Sequence, residues 1–202
     1  MKHHCSQSGF SLVEVLVAIS ILLLVMTGPM RVLTQTTNST TFSNQQTVAF
    51  FLAQEGLELV QLGRDNLALG DFKDAIRNES VEPNPWQRFQ LDFAACFGSN
   101  TCGITASTDA DGLATTSCST GTNCRLYLST TTTDRARYSH TNVGVVTPYT
   151  RRIQIGIIPN TQDPSRPRGL VATSTVTWRT GGLVDDQQVQ LVTYLTNVYD
   201  TP

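Results

Sequence analysis

Between Phe10 and Met30 the chain carries a single ionisable side chain, Glu14, inside an otherwise apolar run. A carboxylate so placed is costly in lipid, and its default reading is a functional group that needs a partner. The second reactive set is Cys96, Cys102, Cys118 and Cys124, spaced C-x5-C-x15-C-x5-C, with a separate Cys5 near the start. In an exported chain an even cluster of this kind reads as two disulfides. A four-cysteine zinc site is the alternative, but zinc sites use tighter C-x2–4-C pairs. Three connectivities are possible. The local pairing Cys96–Cys102 with Cys118–Cys124 is favoured because each closes a short loop, and the nested pairing Cys96–Cys124 with Cys102–Cys118 is the runner-up.

The remaining candidates are weaker. His3 and His4 lie at the start of the chain and His140 stands alone, which reads as a surface or hydrogen-bonding residue. Lys2 and Lys73 offer no Schiff-base site, and no G-x-S-x-G, P-loop or H-E-x-x-H pattern is present. No enzyme and no cofactor are expected. Asp109-Ala110-Asp111-Gly112 begins like a calcium loop but lacks the third acid and distal Glu that would complete it, so an ordinary acidic turn is the plainer account.

Elements must position these groups. The 21 positions from Phe10 to Met30 make a helix of roughly 30 Å, the thickness of a bilayer's hydrocarbon core. An ordinary cleaved secretory signal fits poorly, because Thr27-Gly28-Pro29-Met30-Arg31 is a weak cleavage site and the run is long. Gly28-Pro29 predicts a kink or a melted turn, either a plain transmembrane kink or a point where the helix stretches on packing. Thr34 to Thr41 has poor helix propensity. Helical character returns from Gln45 to about Leu62, with an apolar stripe of Phe50, Ala53, Leu57 and Val60, and with Glu55 and Glu58 further round.

Gly63 is the expected stop of the long helix. A short helix is expected around Asp71 to Arg77, and a turn at Pro83-Asn84-Pro85-Trp86. Residues 64–124 otherwise read as loop-rich and disulfide-stapled. Residues 125–199 read as sheet: a short strand at Arg125 to Leu128, then alternation at Ile153, Ile155 and Ile157. After a proline-rich loop at 159–169, further strands follow at 172–178 and 188–198, separated by Gly181-Gly182. The last places Val189, Leu191 and Leu195 on one face. Three sequential strands with short connections predict an antiparallel meander. The fold class is α+β, a long N-terminal helix packed on an antiparallel sheet.

The formal net charge is −2. The last part of the chain, from Arg125 on, holds eight arginines against five acids. Arg135, Arg137, Arg151, Arg152, Arg166, Arg168 and Arg179 could touch nucleic acid phosphates, and the plainer account is a solvated surface with local ion pairs.

The N-terminal residues carry a resemblance. Met1 to Gly9 is short, polar and basic through Lys2. Phe10 follows Gly9, Glu14 is fifth after that junction, and an apolar 20-mer continues to Met30. This resembles the class III leader of type IV prepilins and type II secretion pseudopilins. The stretch Ala53-Gln54-Glu55-Gly56-Leu57-Glu58-Leu59-Val60-Gln61-Leu62-Gly63 and its continuation to Asn66 is similar to PilV-type minor pilins and to the I class of minor pseudopilins.

The resemblance implies residues 1–9 as leader, 10–30 as transmembrane and assembly helix, 31–63 as helix continuation and 64–202 as an extracytoplasmic globular domain. It implies cleavage after Gly9 by a prepilin peptidase and N-methylation of Phe10. It also implies anchoring in the cytoplasmic membrane, with other pilins or pseudopilins and an inner-membrane assembly platform as partners. Cutting after Gly9 would remove Lys2 and free the Phe10 amine, which the Glu14 carboxylate of a neighbouring subunit could pair. The rival expectation is a signal-anchored binding module, with DNA capture during uptake as one version of it.

Overall fold

In the computed structural model, residues 9–76, 85–107, 112–118, 124–130, 137–160, 168–179 and 186–197 are described, without the side chains of residues 71 and 74–76. The chain divides into two compact units, Met1–Gln45 and Gln46–Pro202.

The first unit is the opening of helix α1, which runs Leu12–Ile76. Its apolar stretch is fully exposed, and the helix is long and apolar enough to cross a membrane. The helix passes through Gly28-Pro29 without a melted turn, although Pro29 withholds the amide that Val25 would otherwise accept. It also persists through the threonine-rich segment, against the expectation from propensity. The hydroxyls of Thr34, Thr36, Thr37, Thr40 and Thr41 each donate to the carbonyl four residues back, at 2.8 to 3.0 Å. A threonine that finds its partner inside the helix no longer competes with it from a turn.

In the second unit α1 packs on a seven-stranded sheet. Ala49, Leu52, Ala53, Gly56, Leu57, Val60 and Gly63 are buried, while Phe50 is exposed. Ala53, Leu57 and Val60 of the expected apolar stripe are therefore buried, and Ala49 takes the place expected of Phe50. Gly63 does not stop the helix. A Cβ there would lie 2.5 Å from the Phe93 ring, and one at Gly56 would lie 2.7 Å from Ser174 Oγ. Both glycines let the helix backbone approach what it packs on, and the short helix expected near Asp71 is the continuation of α1.

Seven strands follow a second helix: α2 (Pro85–Asp92), a 3-10 turn (Ala94–Cys96), β1 (Cys102–Ala106), β2 (Leu113–Ser117), β3 (Arg125–Leu128), β4 (Tyr138–Ser139), β5 (Val145–Ile158), β6 (Gly169–Trp178) and β7 (Gln187–Thr196). Pro85 opens α2 at the helical position where its missing N–H costs least, so a helix begins within the expected turn. β5 is the spine. One side pairs with β6, and the other takes β3 and β1, which carry β4 and β2. β6 then pairs with β7, all antiparallel, which is the expected meander.

Alternation decides which faces are buried. Ile153, Ile155, Leu170, Ala172, Val176 and Leu195 line the inner face with Phe89, Phe93, Ile104, Leu57 and Val60. Ile157 shares their parity but is exposed near the strand end. The segment before Cys124, expected to be loop, contains α2 and the β1–β2 hairpin. Those strands are short and rich in threonine and glycine, so they lack the alternation that betrays longer ones.

Candidate functional site

Gly9 and Phe10 precede the helix, and Phe10 is 82% exposed. The first helical bond runs from the Val15 amide to the Ser11 carbonyl. Glu14 falls in the first turn, where the helix's unsatisfied amides favour a carboxylate. Its side chain is exposed and makes no hydrogen bond or ion pair with any described residue. The acid stands among the exposed apolar side chains of Leu12, Val13, Val15 and Leu16. Residues 1–8, with Lys2, His3, His4 and Cys5, lie outside the described residues.

The cysteines pair locally, Cys96 with Cys102 and Cys118 with Cys124. The first ties the 3-10 turn to the head of β1. The second joins the end of β2 to the start of β3, and backbone bonds from Cys118 N to Thr101 O and from Arg151 N to Cys124 O hold it against its neighbours.

Arg151 corrects the arginine-surface expectation. It is 0% exposed. Its Nη1 donates to Glu55 Oε2 at 2.8 Å and to the Leu52 carbonyl at 3.1 Å, and its Nη2 donates to the Ile104 carbonyl at 2.8 Å. One guanidinium thereby fastens α1 to β5 and β1. Burial pushes its pKa down and the Glu55 carboxylate opposes that. Arg137 donates to the Ala106 carbonyl, and Arg179 pairs with Asp186 at 2.8 Å, so these two are locally engaged. Arg152 and Arg168 are described on β5 and beside β6, whereas Arg135 and Arg166 lie outside the described residues.

His140 is also internal rather than on the surface. Burial, and then the Arg151 charge, push its pKa down to about 4, against weaker support from the Arg125 and Cys124 backbones. Neither ring nitrogen reaches hydrogen-bond geometry with a described partner.

Sequence reasoning missed the Arg151–Glu55 pair although a signal existed. Arg151 shares strand parity with Ile153 and Ile155, so the alternation that buried those two pointed Arg151 inward as well. Asp109, Ala110 and Asp111 lie outside the described residues. Gly112 is described, with φ +69°. Among the described residues no three or more His, Cys, Asp or Glu gather to hold a metal.

Comparison with known proteins finds the prokaryotic N-terminal methylation motif at residues 5–28. That span covers Gly9, Phe10, Glu14 and the helix up to Gly28. No curated protein and no solved structure matches the chain.

Proposed function

We propose that this chain, whose leader motif and architecture fit a type IV pilin-like protein, is a minor pilin or minor pseudopilin of a type IV pilus or type II secretion-type filament. A prepilin peptidase cuts after Gly9, Phe10 is methylated on its new amine, and the subunit joins the filament through α1. The observation that carries this reading is the motif at the head of a fully exposed apolar helix. The protein is membrane-anchored through that helix. We place the globular unit outside the cytoplasm, which its two disulfides support. The role is structural rather than enzymatic.

Glu14 supplies registration. In a bundle of such helices its carboxylate pairs with the Phe10 amine of a neighbour, and such a pair in low dielectric is favourable only when both charges are present. Glu14→Ala is expected to leave cleavage intact and to reduce incorporation into filaments. Normal incorporation of that variant would remove the registration role.

The test of the whole reading is the intact mass and N-terminal peptide map of the protein from its native envelope. A chain beginning at methylated Phe10 is the expected result. A chain still beginning at Met1 where the peptidase is active refutes it and leaves a signal-anchored module.

A further inference from the structure

The outer edge of β7 is long, and from Gln188 to Thr196 no strand among the described residues covers it. The strand pairs with β6 through ten consecutive residues with no bulge, and with no other strand among the described residues. Between Gln187 and Thr196 there is no charge and no proline. Natural sheets blunt a free edge with lysines, prolines, bulges or brevity, because unpaired backbone amides and carbonyls template another strand. The same sheet does use brevity elsewhere: among the described residues its other outer strands are β2, of five residues, and β4, of two.

The side chains on the outer face add to this. Val192 is 50% and Tyr194 70% exposed. Tyr194 stands opposite Val171, which stands opposite Gly156, so an apolar row crosses the sheet and ends at the open edge. A further strand would extend that row, and cross-strand aromatic and β-branched pairs are the unit of sheet stabilisation.

We propose that β7 is a strand-addition site that takes an extended, uncharged strand of about ten residues from a different subunit. Choosing a different subunit rests on the filament reading above; the edge itself does not. Two copies of β7 paired antiparallel would be related by a two-fold axis perpendicular to the sheet. That axis reverses any helix lying on the sheet, so the two chains would enter their globular units from opposite directions. Subunits anchored in one membrane cannot do that. A head-to-tail contact keeps the helices aligned, but it offers only the five residues of β2 or the two of β4 and leaves half of β7 open. The remaining occupant is a longer strand on another chain. It must carry no charge opposite Val192 and Tyr194, since the edge offers none to pair with it.

The test uses the full chain in its native envelope, with the photoreactive residue p-benzoylphenylalanine replacing Tyr194. After irradiation the cross-linked peptides are mapped by mass spectrometry, and the N-terminus is read from the same sample. The expected product is one adduct whose partner peptide is a β-strand of another pilin-like subunit. Val192→Lys, which leaves the inner face untouched, is expected to lower its yield about tenfold. An adduct with another copy of this chain, an adduct on a helix or loop, an adduct indifferent to Val192→Lys, or no adduct overturns the proposal. If Phe10 is the processed N-terminus and no adduct forms, only the edge proposal fails. If Met1 is retained and the strand adduct forms, only the filament reading fails.

Discussion

Glu55 and Arg151 form a clasp whose energetics can be worked from their unequal burial. Arg151 is 0% exposed and the Glu55 side chain 39%. Glu55→Ala strands a guanidinium in the core with only carbonyl partners, the situation in which breaking a buried pair costs about 3–5 kcal/mol. Because water already reaches the Glu55 side, the lower end, about 3 kcal/mol, is expected. Arg151→Met leaves a carboxylate that solvent can take over and two carbonyls, of Leu52 and Ile104, that lose a donor. Both carbonyls lie within regular secondary structure, so the cost is about 2 kcal/mol. Once Arg151 is gone, removing Glu55 has no buried charge to strand. The double variant is therefore expected to sit beside Arg151→Met alone, about 3 kcal/mol better than the sum of the singles. Urea unfolding of the full chain in detergent, with disulfides intact, reads this through Trp86 and Trp178, both buried. Additivity of the two singles within about 0.5 kcal/mol would refute the clasp.

His140 gives a pH dependence with a definite sign. Its folded pKa is about 4 against an ordinary value of 6.5, so the fold favours the neutral ring. Stability is full above about 6.5 and falls as pH drops through the window down to about 4, by at most about 3 kcal/mol. Urea midpoints measured from pH 7 to pH 4 should show this loss, and His140→Gln should flatten it; an unchanged slope would show that other groups set it. The two glycines late in α1 should behave oppositely. Gly63→Ala places a methyl into the Phe93 ring and should destabilise by about 1–2 kcal/mol despite better helix propensity. Gly70→Ala meets nothing within 4 Å and should stabilise by about 0.5–1 kcal/mol. Thermal melts of the two variants check both signs, and a stabilising Gly63→Ala would contradict the packing account.

Patterns with a fixed period were legible and exceptions to them were not. The apolar run from Phe10 and the alternation in β5, β6 and β7 were readable because each follows from spacing alone, whereas the short C-x5-C spacings favoured the local cysteine pairing and left the nested one open. Gly63 misled because glycine signals a helix end and a close packing contact with the same letter; only the Phe93 ring opposite it distinguishes them. Thr34 to Thr41 misled because propensity counts what the hydroxyls do in other conformations, not the bonds to the carbonyls four residues back. The β1–β2 hairpin was invisible, being held by register to β5 and by two disulfides rather than by its own side chains.

The helix α1 meets different surroundings along its length, and magnitudes show that one of them cannot be water. Between Phe10 and Leu33, sixteen large apolar side chains are exposed. Leaving each in water forfeits roughly 1.5 kcal/mol, so together they forfeit over about 20 kcal/mol, more than the roughly 5–15 kcal/mol that holds a domain together. That stretch therefore needs lipid or other helices around it at all times. From Thr34 to Thr41 the side chains are polar and the threonine hydroxyls are satisfied by the helix itself, which suits water. From Ala49 to Gly63 one face is small or apolar and fits the sheet, with Arg151 reaching Glu55 and Leu52 to fix the docking. Arg31 breaks the first pattern only near its outer end, whereas Glu14 is the single ionisable side chain between Phe10 and Met30, and an acid kept among side chains that must leave water is costly unless it is given a partner there.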